Sequence, residues 1–243
     1  MGRMIAVSGL SLEWEDVKND IVMKTVGVSI AGETLEKVPY AKMGDLAATY
    51  RVYLGTDGEE NAFVVVSDAL LNQWGKSVQE LHQTAVKNME KQFPGMLMSL
   101  ETAAEPAWQA YKSQGIELPD IKNPRFPSWV LTNDGFLYGA SSVFYSNMAE
   151  QIEAVYPNGC YILPSSIHEV LLMPKDVLSL EDFEKMVCMV NDEHVCEEEL
   201  LSYQVHEYDP KTRTIKIAGS LEGRGLQFKG AEEVKRTEPV RSM

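Results

Sequence analysis

Three segments of the chain share one form. FVVVSDALLNQW, SSVFYSNMAEQI and EVLLMPKDVLSLEDF each pass from an apolar or β-branched run, through a polar or proline break, into a helical pattern. Each is preceded by a second strand-like run: LAATYRVYL (46–54) before FVVV (63–66), SWVLTN (128–133) before FLYGASSVFY (136–145), and CYIL (160–163) before EVLLM (169–173). Parallel neighbours need a crossover of a dozen or more residues, and these links are shorter, so the pairs must be antiparallel hairpins. The expectation is an α+β protein, mostly antiparallel sheet built from hairpins, with helices packed on it in strand–strand–helix units. Residue identity between the units is low, which favours simple alternation of hairpins and helices over duplication. CYIL and EVLLM are apolar on both faces and read as central strands covered on both sides.

The remaining elements are placed by spacing. Trp14, Val17 and Ile21 recur at helical intervals in LEWEDVKNDIVMK, predicting a helix of about three turns. GETLEKVPYAKMGD reads as a loop. Ser77-Val78-Gln79-Glu80 is a capping box, followed by an apolar stripe of Val78, Leu81, Ala85, Met89 and Phe93. His82 lies on that stripe, so it reads as a packed histidine before a ligand. Met148, Ile152 and Val155 mark another helix. Ser179 starts a further one, with Phe183, Met186, Val187 and Val190 inward. SYQVHEY (202–208) and RTIKIA (213–218) form a last pair of strands. Five prolines punctuate 94–127, an irregular stretch with room for a short helix near 107–113. The organisation is then a flexible N-terminus (1–11), a single domain (12–218) that a split near 94–127 would divide into two lobes, and a charged, frayed tail (219–243).

Composition narrows the function classes. The net charge of −14 repels phosphate backbones and argues against nucleic-acid binding. Residues 176–209 hold eleven Asp or Glu and one Lys, whereas 210–243 hold eight Lys or Arg and four Glu. The acidic span reads first as a solvated face, and more sharply as a docking surface for a basic protein partner; an acidic mimic of nucleic acid is the remoter reading. Three cysteines, Cys160, Cys188 and Cys196, without CxxC spacing fit free thiols in a reducing compartment. No apolar run approaches the ~20 residues that span a bilayer, and MGRMIAVSGL is too short for a secretory signal. A cytoplasmic protein with no membrane partner is expected. Nothing in the sequence fixes the oligomeric state.

Cofactor motifs are missing: the sequence has no GxxxxGK[ST], no GxGxxG after a strand, no HExxH and no GxSxG. No cofactor is expected. Pro164-Ser165-Ser166-Ile167-His168 is the one place where a nucleophile and a base stand close. Ser166 and His168 are two apart, so in an extended chain they share a face, and a serine-dependent hydrolase could use the pair. Such a base also needs an orienting group, and no nearby glycine supplies oxyanion amides. The turn of a hairpin needs less: Pro164 ends a strand, the serines bond within the turn and His168 starts the return. His194 and Cys196 offer metal-ligand types, but a lone His with a lone Cys lacks zinc spacing and reads first as a solvated connection. Thr132-Asn133-Asp134-Gly135 could present oxygens to a cation, and reads first as a turn. The working expectation is a non-catalytic interaction or accessory module.

Several of these segments resemble one family. DLAATYRVYL, SDALLNQWGKSVQELHQTAVKN, WVLTNDGFLYGASSVFY, CYILPSSIHEVLLMP and VNDEHVCEEELLSYQVHEYDPKTRTIKI are similar to domain-of-unknown-function family 5688 of the Firmicutes, over about residues 12–218. A fainter similarity, in WGKSVQELHQTAVKNM and TNDG, points to another uncharacterised Bacillus-type family. The resemblance implies a cytoplasmic bacterial protein of α+β fold. It implies no reaction and transfers no catalytic residue. LPSSIHEV resembles the family's most recognisable segment.

Overall fold

The computed structural model describes residues 11–57, 60–113, 127–220 and 225–230. The chain enters through α1 (Trp14–Val17) and a 3-10 turn, then forms β1 (Ile21–Gly27), α2 (Val28–Ala31) and a second 3-10 turn over Gly32–Lys37. Strands β2 (Tyr40–Met43), β3 (Leu46–Asp57) and β4 (Glu60–Val65) follow, then α3 (Asp68–Trp74) and α4 (Val78–Gln92). Next come β5 (Gly95–Ser99), α5 (Leu100–Ser113), β6 (Trp129–Asn133), a 3-10 segment over Gly139–Phe144 and α6 (Met148–Val155). The chain continues through β7 (Cys160–Ser166), β8 (Glu169–Met173), α7 (Leu180–His194), β9 (His206–Asp209), β10 (Thr214–Ile217) and β11 (Gln227–Phe228).

Every strand pair is antiparallel, and the strands form two sheets. In the first, β3 carries β1 along one edge and both β2 and β4 along the other, with β11 outside β2. In the second the order is β10-β9-β7-β8-β6-β5. The doubly apolar strands β7 and β8 are central, and their side chains divide as alternation requires. Cys160, Ile162, Val170 and Leu172 enter the main core, while Leu163 and Met173 join Phe183 and Val187 of α7 on the opposite face. The main core unites the two sheets through α4, α6 and the 139–144 segment. Helix α4 carries the full capping box at Ser77 and Glu80 and buries Leu81, His82, Ala85 and Met89. This is the α+β architecture of hairpins backed by helices.

Some local expectations are corrected. The helix over LEWEDVKNDIVMK is only α1 and one 3-10 turn, and IVMKTVG is β1. Its β-branched residues pair along seven positions of β3, and α4 stops the turn from winding further. Asn88 Nδ2 donates to the carbonyls of Lys18 and Ile21, and Gln92 Nε2 donates to that of Asn19. YAKM, read as loop, is a strand because Gly44, at φ +60°, turns it back onto β3. FLYGASSVFY is not the return strand of a hairpin. Phe136 and Tyr138 take left-handed backbone, and the Asn133 side chain clamps Leu137 through both its amide N–H and its carbonyl. The small residues that follow wind as a 3-10 segment between the sheets. A Cβ at Gly139 would collide with Thr132 Oγ1 and the His168 carbonyl. Strand β6 pairs instead with β5 and β8, so the 94–127 stretch contributes a strand as well as a helix. Within the expected tail, Gln227–Phe228 pairs with β2. Residues 1–10, 221–224 and 231–243, on which the expectation of loose ends mostly fell, lie outside the described residues.

Candidate functional site

The PSSIH bend is where β7 doubles back into β8, with a register shift between Pro164 and Ser166. It is held on several sides. Ile167 is buried; its N–H donates to the Glu199 carbonyl (2.9 Å) and its carbonyl accepts from Ala140 N. Thr132 Oγ1 donates to the His168 carbonyl (2.8 Å). Ser166 Oγ accepts the His168 backbone N–H at 3.1 Å, a local turn bond. The His168 ring is turned elsewhere. Its Nδ1 donates to the Phe136 carbonyl (3.0 Å), which fixes the tautomer, and its Nε2 faces Glu199 Oε1 at 3.6 Å. Among the described residues no hydrogen bond joins Ser166 Oγ to either ring nitrogen.

Next to the bend the outer face of the first sheet forms a cleft of about 260 Å³. Strand alternation sets its floor. Thr25 points inward to Ser141, so Lys24 and Val26 point outward, and Thr49 and Arg51 of β3 lie beside them. The guanidinium of Arg51 and the ammonium of Lys24 each lie 5.5 Å from the Tyr138 ring centroid. Tyr138, placed by its left-handed backbone, lies nearly parallel to His168 (14°, centroids 6.5 Å apart). Neither cation has a carboxylate within ion-pair distance among the described residues, and Arg51 Nη1 is buried without a hydrogen-bond partner. Both titrations reflect this. Burial pulls the Lys24 ammonium below its ordinary value and neighbouring Arg51 adds to the drop, while Glu199 opposes it. Burial likewise lowers Arg51. Two desolvated like charges side by side are costly in a folded chain unless an anion neutralises them.

The other sequence candidates stay apart. His194 lies on the exposed end of α7, with Nε2 3.8 Å from Glu193, and Cys196 is an exposed free thiol. Among the described residues no three His, Cys, Asp or Glu side chains are grouped to hold a metal ion. Thr132 and Asn133 are buried, and their side chains serve the bend and the 133–137 turn. Of the eleven acidic residues between 176 and 209, eight are exposed. Sequence reasoning missed Lys24, Arg51, Tyr138 and Glu199. The only trace was a single cation in each of two otherwise apolar strands, IVMKTVG and LAATYRVYL, which is also how the wet face of an ordinary strand looks.

A family model described as a family of unknown function (DUF5688) matches residues 6–210. No curated protein and no solved structure matches. No described helix is long and apolar enough to cross a membrane.

Proposed function

We propose that this chain, which belongs to the DUF5688 family, is a non-catalytic binding module. In this reading its ligand presents an anionic group to Lys24 and Arg51 in the cleft beside the 164–169 bend. The observation that carries the reading is that Lys24 and Arg51 both line the cleft and neither is paired with a carboxylate among the described residues. Two half-buried cations without a counter-charge are costly in a folded chain, so their retention fits a bound anion. Three free cysteines support a reducing, cytoplasmic setting. The bend then serves as a wall: Ser166 bonds to backbone and His168 to Phe136, and neither is spent on chemistry. A native-state ligand raises the unfolding midpoint by mass action. Acetate should therefore raise it saturably in the natural chain and not in Arg51→Met. Identical responses in the two proteins would refute the anion site.

A second reading concerns the acidic 176–209 span as a docking surface for a basic protein partner. Its support is the exposure of the acids together with Met189, 55% exposed on α7. A Lys-rich helical peptide should bind the natural chain, lose affinity with added salt, and fail to bind Glu181→Lys/Glu184→Lys. Binding that ignores salt and charge reversal would count against it.

A further inference from the structure

Apolar side chains flank Lys24 and Arg51 in the cleft. Val65 stands opposite Arg51 on β4, Val26 lies beyond Lys24 on β1, and Ile30 and Ile167 line the cleft with them. Ile30 and Val65 are 41% and 51% exposed, an open aliphatic wall beside a desolvated guanidinium. A ligand with a charged head and a hydrocarbon body would satisfy both halves at once.

The lip of the cleft adds a charge filter. Glu197 and Glu198 line it, both exposed, and Glu199 faces His168 nearby. A dianion such as phosphate doubles its repulsion from these carboxylates and its attraction to Lys24 and Arg51 alike, so it is disfavoured because it has nothing to lay on the aliphatic wall. A planar carboxylate also suits the guanidinium of Arg51, which lines the cleft. At about 260 Å³ the cleft falls just short of the ~300 Å³ at which drug-sized sites begin, so the body must be small.

We propose that the ligand is an organic monocarboxylate on a short aliphatic body. Its carboxylate bonds to Arg51 and Lys24, and its hydrocarbon covers Val26, Ile30, Val65 and Ile167. This rests on the anion-site reading above and adds the class of ligand. A free short-chain fatty acid and the C-terminal residue of a peptide ending in an apolar side chain offer the same chemistry.

The test is calorimetry on the full chain at neutral pH and low salt, with acetate, propionate, butyrate and inorganic phosphate as probes. Affinity should rise about four-fold with each methylene buried. Butyrate should bind more tightly than phosphate, and butyramide should not bind. Arg51→Met and, independently, Lys24→Gln should each weaken butyrate at least ten-fold. Val65→Ser should flatten the length series. A peptide ending in Gly-Leu with a free carboxylate, beside its amide, separates the sources: binding of the free form alone admits a chain terminus, and binding of neither restricts the site to free acids. If acetate binds and Arg51→Met abolishes it, but affinity is flat with length or phosphate wins, the anion site stands and the monocarboxylate assignment is overturned. If no anion binds saturably, both readings are overturned.

Discussion

Two regions of the molecule treat buried polarity in opposite ways. Where the sheets meet, Asp45 takes Ser29 N–H (2.9 Å), Ser29 Oγ (2.8 Å) and Ser202 Oγ on its carboxylate, and its own N–H donates to His206 Nε2 (3.1 Å). Thr25 Oγ1 and Ser141 Oγ bond across the same seam at 3.0 Å. Its orphans are both neutral: His206 Nδ1, which carries the proton of the ring, and Oδ1 of Asn191, whose Nδ2 donates to the Ser202 carbonyl. In the cleft the orphan belongs to Arg51 and carries a charge, beside Lys24, with no carboxylate paired to either among the described residues. The seam pairs its charged carboxylate from within the chain, leaves only neutral atoms without a partner, and holds two sheets together. The cleft is left unsatisfied, and a folded protein retains such a cost where something from outside relieves it.

The sharpest way to break this contrast is Asp45→Ala. It strands the buried Ser202 donor inside the seam, leaves the exposed Ser29 to water, and should lower stability by about 2 kcal/mol, read from urea unfolding. A loss under 1 kcal/mol would mean that the seam is not structural.

Acid should attack the seam next. Burial lowers both His82, bonded through Nδ1 to Tyr50 Oη (2.9 Å), and His206 to about 4 from the ordinary 6.5. The unfolded chain therefore binds more protons between those values, and their contribution is complete above about pH 6.5 and lost as pH falls towards 4. Protonated Nε2 of His206 would also face the Asp45 N–H, donor against donor. Unfolding free energy should fall over that window, with a shallower slope in His82→Gln. An unchanged slope would remove His82 from the account.

The cleft should respond with the opposite sign and a smaller size. Arg51→Met removes a half-buried charge with no carboxylate partner and keeps its packing, so stability should rise by about 1 kcal/mol while anion binding is lost. Destabilisation by a similar amount would make Arg51 a structural residue held by Tyr138. The smallest effect is expected on α7: Glu184→Gln, at an exposed position, should leave the urea midpoint where it was.

What was legible in the sequence follows from local physics. The capping box at Ser77–Glu80, the stripe on α4 and the doubly apolar β7 and β8 announce themselves, because periodicity and capping depend on neighbours in the chain. The bend at 164–168 was legible as a turn for the same reason. β1 was misread because Trp14, Val17 and Ile21 fit a helix by chance, and only pairing with β3 makes IVMKTVG a strand. FLYGASSVFY was misread because two left-handed residues and the Asn133 clamp turn a strand-like run into a 3-10 segment. Lys24 and Arg51 were invisible because a lone cation in a strand looks the same whether it faces open water or lines a cleft.

Short links and alternating apolar runs were enough to determine antiparallel hairpins backed by helices, since the chain between paired strands is too short for any other connection. Only the tertiary structure decided which polar groups are satisfied. Desolvation belongs to the assembled fold: β1, β3, Tyr138 and the β7–β8 bend must come together before Arg51 is half-buried with no carboxylate partner among the described residues.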